Sequence, residues 1–383
     1  MNSQGWQASH LGELCSIKTG KLDVNEGNAQ GHFPFFTCSD EHYWIDTWAF
    51  EGESILVAGN GEFSVQFYSG KFNAYQRTYV IQPKVDAASS IYMRYLYYVV
   101  STKVELFKGM SQGSIIKYLR LPQLEALEIP LPPVLTQRRI VAILEKAEAA
   151  REKRRQANQL TEQFLRSAFL EMFGDPLTNR KKWDISPMEK VCSKITDGTH
   201  FSPPPQESGV PYITAKHLKQ TGLDFFLDPT YISRERHEEI YKRCDPVKGD
   251  VLYIKDGATT GIAAVNRYDF PFSMLSSLAL LRPEPQIMNS GYLVTYLNSP
   301  RVKENILRQM AGGAIKRLTV AKIKHLSVVS PPLELQSRFA ALVDKVESLR
   351  AKQRESEKEL ENLFNSLMQK AFKGELEFAS EPK

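Results

Sequence analysis

Asp197, Thr199 and His200 stand close together in the stretch TDGTHFSPPP (196–205). An acid, a hydroxyl and an imidazole at such spacing could relay a proton or activate a nucleophile. No partner nucleophile and no second acid is identifiable for them, so the stretch reads as an Asx-type turn or as an exposed binding loop. Other chemistry is missing too. GATTG (257–261) has the glycines of a phosphate cradle but not its lysine, and there is no HExxH and no closely spaced His/Asp/Glu set. A self-contained adenine methyltransferase would need a glycine-rich cofactor loop and an Asn/Asp-Pro-Pro-aromatic signature. Ser202-Pro203-Pro204-Pro205, followed by Gln206, supplies no stacking ring. No catalytic residue and no metal site is expected.

What remains are groups suited to polar recognition. GESILVAGNGEFSVQF (52–67) reads as strand, Asn-Gly turn, strand, and KGDVLYIKDGATTGIAAV (248–265) as its counterpart. Near these tips lie Asn60, Gln66, Gln76 and Arg77 in the first half, and Lys216, Lys255, Asp256, Thr259 and Thr260 in the second. Amide and guanidinium groups can make paired contacts to adenine and guanine edges, and glycines allow close backbone approach. With Thr199 and His200, these are the candidate DNA contacts. The net charge of +5 over 383 residues leans towards an anionic partner without forming a polybasic arm.

The strongest signal is duplication. GSIIKYL (113–119) returns as GGAIKRL (312–318), and at that offset residues 113–173 match 312–372 without a gap. About 18 of these 61 positions are identical, among them Leu119/Leu318, Pro132-Pro133/Pro331-Pro332, Gln137/Gln336 and Phe173/Phe372. Upstream, Trp6 pairs with Trp183 and Cys15 with Cys192 at a shorter offset, so the second half carries about 22 extra residues. Cys15, Cys38, Cys192 and Cys244 show no CxxC pair, and equivalence of Cys15 with Cys192 argues for core thiols rather than a disulfide. Two copies of so large a unit predict an internal pseudo-dimer. Lys117, Lys316 and Arg317 in the repeated phrase could neutralise phosphate, which positions a duplex without specifying sequence.

After each Pro-Pro comes a long helical pattern. The first predicted helix runs from about Thr136 to Met172, with a seam at Ile140, Ile143, Ala147, Ala150, Ala157, Thr161, Phe164 and Ala168. The second repeats it at Phe339, Leu342, Val346, Leu349, Ser356, Leu360, Leu363 and Leu367. Spacing of 3.5 residues predicts coiled-coil packing, weakest at Arg154 and Gln353, where polar residues could set register or receive a partner helix. Ile140, Leu144, Arg154, Phe164, Phe339, Leu342, Leu360 and Leu367 are the candidate partner-binding positions. The expected class is α+β. Two mixed α/β domains (1–134 and 175–333) alternate with two long helices (135–174 and 334–383, the last with a tail) that a pseudo-twofold axis would make antiparallel.

This organisation resembles the DNA-specificity subunit of a type I restriction-modification system. Further residues that carry the resemblance are DGTH (197–200), LEMFGDPLTNRKKW (170–183), GATTG (257–261), GGAIKRL (312–318) and PPLELQSRF (331–339). The resemblance implies a bipartite site on double-stranded DNA, one domain per half-site. It implies two modification subunits that bind S-adenosylmethionine and methylate adenine, and restriction subunits that use ATP and Mg. Those cofactors belong to the partners, so none is expected on this non-catalytic chain. A polar start (MNSQGWQASH) and the lack of a long apolar run predict a cytoplasmic protein, and the resemblance implies a prokaryotic, nucleoid-associated one. The competing expectations are a coiled-coil scaffold with no DNA role, or an enzyme active by itself.

Overall fold

The computed structural model describes residues 5–39, 41–61, 63–110, 118–308 and 318–378. It falls into two compact units, residues 1–155 with 355–383, and residues 156–354.

The first unit opens with strand β1 (Gln7–His10), the one-turn helix α1 (Leu11–Leu14) and β2 (Cys15–Thr19). There follow β3 (Phe33–Phe36), β4 (Tyr43–Ile45), β5 (Phe50–Ala58), β6 (Val65–Ala74) and β7 (Thr78–Pro83). Helices α2 (Met93–Ser101), α3 (Val104–Met110) and α4 (Leu121–Glu125) precede β8 (Glu128–Leu131). One sheet has the order β2-β7-β5-β6-β3-β4, antiparallel except where β3 lies beside β6. β5 is central because Ile55, Leu56, Val57 and Ala58 are buried in succession, the pattern of a strand covered on both faces. α2 covers one face through Tyr95, Leu96, Tyr98 and Val99. Helix α5 (Val134–Phe173) starts directly after Pro132-Pro133. Its Ile140, Val141, Leu144 and Ala147 share this core with Phe364, Met368 and Ala371 near the C-terminus.

The second unit repeats the frame. It holds β9 (Asp184–Pro187), α6 (Met188–Val191), β10 (Cys192–Asp197), β11 (Val210–Ile213), the hairpin β12 (Leu218–Lys219) and β13 (Gly222–Leu223), β14 (Tyr231–Ile232) and α7 (Arg234–Tyr241). Then come β15 (Val251–Ile254), β16 (Ala263–Val265), β17 (Ser273–Met274), β18 (Leu278–Pro283), α8 (Ser290–Asn298), α9 (Pro300–Arg308), α10 (Val320–Lys324), β19 (Ser327–Ser330) and α11 (Leu333–Lys373). β9 pairs with β19 as β1 pairs with β8, and β10-β18-β15 corresponds to β2-β7-β5. The parallel contact recurs as well: Phe35 faces Asn73, and Tyr212 faces Ser273. The extra residues of this half lie between β11 and β15, where the hairpin and α7 sit.

Cys15 faces Pro83 and Cys192 faces Pro283, after which a bulge in β10 adds one residue to the second copy. Both thiols are unpaired core groups pushed up to about 12 by burial, as is Cys244, so they stay protonated and inert.

Within the second unit the helical stretches run antiparallel, since Thr161 meets Gln353 at 3.1 Å while Phe169 meets Phe339 at 5.5 Å between ring centroids. The expected seam drifts in phase beyond its centre. Leu165 and Phe364 are buried, whereas the seam positions Phe164 and Leu363 are each 51% exposed. A 3.6-residue helix rotates about 20° per heptad against a 3.5 repeat, so over about three heptads the drift passes half of the roughly 100° between neighbouring residues and the buried position moves by one.

Two imidazoles in the second unit have lowered pKa values, with burial the leading cause in each. His217 accepts the Thr214 N–H at Nδ1 (3.0 Å) and donates from Nε2 to the Asp228 carbonyl (2.8 Å). His237 lies 2.9 Å from the Ser273 hydroxyl. The unfolded chain, with histidines near their ordinary 6.5, binds more protons below that pH than the fold does. Stability is therefore full above about pH 6.5 and declines as pH falls below it. Thermal unfolding between pH 7.5 and 5.5 should show this decline, and His217→Gln should flatten it; a melting temperature that rises on acidification would contradict it.

Candidate nucleic-acid interface

In the first unit three distant segments converge behind the β5–β6 turn. The Gly59 N–H donates to the Arg77 carbonyl (2.8 Å), the Gly59 carbonyl accepts from the Leu119 N–H (2.8 Å), and the Tyr79 hydroxyl donates to the Leu119 carbonyl (2.8 Å). Glycine is required at 59 because a Cβ there would lie 2.4 Å from the Arg77 carbonyl oxygen. The result is an open groove of about 310 Å³ lined by Thr19, Gln76, Arg77, Tyr79, Tyr118 and Arg120. Gln76 and Arg77 are exposed on its rim, and the Gln76 amide is held by Asp23 at 3.2 Å. Arg120 lies over the Tyr118 ring at 5.6 Å. An amide, two guanidinium groups and two phenols around one groove can take base edges and phosphates together.

Asn60 belongs to the same corner, where its backbone bridges to Tyr118. Gln66 does not: it sits half-buried in β6 and donates to the Ser39 carbonyl at 3.1 Å.

The second unit builds the same corner with different side chains. The Lys255 N–H donates to Ser277 (2.9 Å) and the Lys255 carbonyl accepts from Leu318 (2.8 Å), so Lys255 stands where Gly59 stands. By the same ladders Asp197 takes the place of Thr19, facing Ala279 as Thr19 faces Tyr79. Lys255 is 2% exposed, with its ammonium 3.4 Å from Asp197 and 3.6 Å from Asp256. Asp197 also meets Arg243 (3.2 Å) and His200 (3.4 Å). A buried ammonium costs several kcal/mol unless paired, and the carboxylate supplies that pairing. A shallow pocket of about 290 Å³ opens beside the pair, bounded by Thr199, His200, Phe201, Glu239, Ile240 and Arg243.

The other candidates of this half are spread out. Thr199 is buried, and its hydroxyl accepts the Phe201 N–H at 3.4 Å. Lys216 pairs with Asp228 at 2.9 Å and holds that carboxyl below its ordinary range. Thr260 is buried and closes its turn onto the Gly257 carbonyl (2.7 Å), while Thr259 is exposed at the turn. Lys117, Lys316 and Arg317 lie outside the described residues.

On the helices, Ile140, Leu144 and Phe339 are fully buried inside their own units, and Leu342 and Leu367 pack partly buried against those cores. Phe164 is exposed, with Leu160 one turn away at 63% exposure. In the first unit a charged groove of about 270 Å³ is lined by Arg151, Arg154, Arg155, Glu357, Leu360 and Glu361. The Nε of Arg154 is buried there with no hydrogen-bond partner among the described residues.

A model of the type I restriction modification DNA specificity domain matches residues 3–162 and 180–362. The chain belongs to that family. The specificity subunit of the Escherichia coli EcoDI restriction enzyme is 34% identical over 182 residues, which is 46% of this chain and 39% of that subunit. The putative type I specificity subunit S.HindORF215P of Haemophilus influenzae is 24% identical over 83% of this chain and 81% of its own length. The solved S subunit of a type I restriction-modification system from M. genitalium covers 96% of each chain at TM-score 0.63 and 15% identity, a likeness of fold. The protein is thus a chain of the type I specificity family, α+β in class and internally repeated. Among its described residues no helix is long and apolar enough to cross a membrane, and no cluster of three metal-ligating side chains occurs.

Several residues of this specificity chain's two corners escape a reading of the sequence. Tyr118 directly follows Lys117 within the repeated phrase and Arg120 comes just after its end, and that adjacency was a usable signal. Arg243 comes from the extra segment, which has no counterpart in the first half, and nothing in the sequence ties it to Asp197.

Proposed function

We propose that each unit reads one half of a two-part DNA target through its corner, and that the two halves differ. One observation carries this. The same backbone frame is built twice, but the groove is open at Gly59 and filled by a neutralised Lys255 at the equivalent place. Half-sites read through such different surfaces must differ in sequence. The two long helices, about 60 Å each at 1.5 Å per residue, serve as spacer and as docking surface for two modification subunits. Methyl transfer from S-adenosylmethionine and ATP-driven restriction with Mg are assigned to the partner subunits.

The test is Arg77→Ala, assayed as the complex with modification subunits on duplexes carrying the target. Loss of a paired base contact should weaken recognition of one half-site by about 1–3 kcal/mol, roughly 5- to 150-fold. Unchanged discrimination at both half-sites would remove the first corner from the reading surface. A scaffold with no DNA role would show no salt-dependent DNA binding at all.

A further inference from the structure

The first turn of each long helix carries a buried glutamine. Gln137 and Gln336 occupy equivalent places in the repeat, and both are completely buried. In the first unit the Gln137 side chain accepts the Tyr92 N–H (2.8 Å) and donates to the carbonyls of Ser90 and Pro132 (2.9 Å each). In the second, Gln336 accepts the Asn289 N–H (2.9 Å) and donates to the carbonyls of Ile287 (3.0 Å) and Pro331 (2.7 Å). One donor and two acceptors around each amide leave a single orientation that satisfies all of them.

The partners are the same parts of the fold both times. Tyr92 and Asn289 are the N-cap residues of α2 and α8, the helices that cover the recognition sheets. Pro132 and Pro331 begin the turn into the long helices. Each amide therefore ties three things at one point: the start of the long helix, the turn before it and the start of the sheet-covering helix. A leucine or methionine could bury as much apolar surface here, but packing alone has no direction. A fully satisfied buried amide does, because a change of angle strands its groups without water.

We propose that Gln137 and Gln336 are positioning residues that fix the angle between each recognition sheet and its long helix, and thereby the gap between half-sites that the protein accepts. This rests on the two-part reading above. The test uses Gln336→Met, which keeps the volume, and Gln336→Glu, which keeps the shape but sets a carboxylate against two carbonyls. Each variant is assembled with modification subunits, checked by thermal unfolding, and assayed on duplexes whose half-sites are separated by the wild-type gap, one base pair fewer and one more.

Both variants should keep the half-site sequences while their preference for the wild-type gap falls on the order of tenfold, the scale of one or two buried hydrogen bonds. A folded variant that keeps the wild-type gap preference would overturn the proposal. So would uniform loss of activity at all three gaps, which is the mark of a merely structural residue. Wild-type protein that methylates no two-part target would overturn the underlying reading, and this proposal with it.

Discussion

Replacing Arg282 by methionine should destabilise the second unit by about 3–5 kcal/mol, the cost of stranding a buried charge. Asp250 is 1% exposed, and the Arg282 guanidinium meets it with two parallel bonds of 2.9 Å. The same guanidinium donates to the Asp245 carbonyl at 2.8 Å, and Lys194 meets the Asp245 carboxylate at 2.5 Å. Among the described residues no other cation pairs with Asp250, so methionine would leave its buried carboxylate without a counter-charge and with only the Val247 N–H (2.8 Å) still donating to it. The first unit supplies an internal control. There Ser54 takes the place of Asp250 and Gln82 that of Arg282, joined by a neutral hydrogen bond of 3.0 Å. Gln82→Met should cost only about 1 kcal/mol. Urea unfolding of both variants would measure the contrast. Equal losses would mean that water reaches Asp250 and that the pair is not a buried one.

Exchange of residues 183–310 for the matching segment of another family member should change one half of the target completely and leave the other intact. The physical basis is that each unit keeps its own core. Among the described residues, the buried side chains of the first core come from residues up to Ala147 and from Phe364 onward, and those of the largest core of the second from Phe169 to Phe339. The incoming segment must fit the parts of the unit that stay, among them β19, Gln336 and an aromatic surface of α5. Tyr292 lies 4.7 Å from the Phe173 ring and 5.8 Å from Phe169, and both phenylalanines belong to α5. A donor segment with an aromatic residue at that position should fold; one with a small residue there should lose about 3–5 kcal/mol, as for other large-to-small core changes. A folded exchange that altered both halves of the target would contradict separate reading by the two units.

The repeat and the long helices were legible because identity survives where both copies must meet the same backbone, as at Gln137 and Gln336. Phase and pairing were harder. The identical Gly52 and Gly249 invite an alignment of Glu53 with Asp250. The strand ladders instead set Ile55 and Val251 opposite Ile81 and Leu281, which makes Ser54 the counterpart of Asp250. One copy has a residue more between its glycine and its strand core, and identity alone cannot show where. The corners were legible only in fragments. Gln76 and Arg77 stood out by type, but the groove also needs Tyr79, Tyr118 and Arg120 from other segments. Lys255 read as a surface cation because its partner, Asp197, is remote in sequence and resembled a turn residue or a catalytic acid.

This chain is proposed to dictate a two-part DNA target. The most direct measurement is single-molecule methylation sequencing of cells with and without the chain. Loss of N6-methyladenine from one motif with two unlike halves and a fixed gap is the predicted result. An unchanged methylation map, in cells where the chain co-purifies with an active modification subunit, would contradict it.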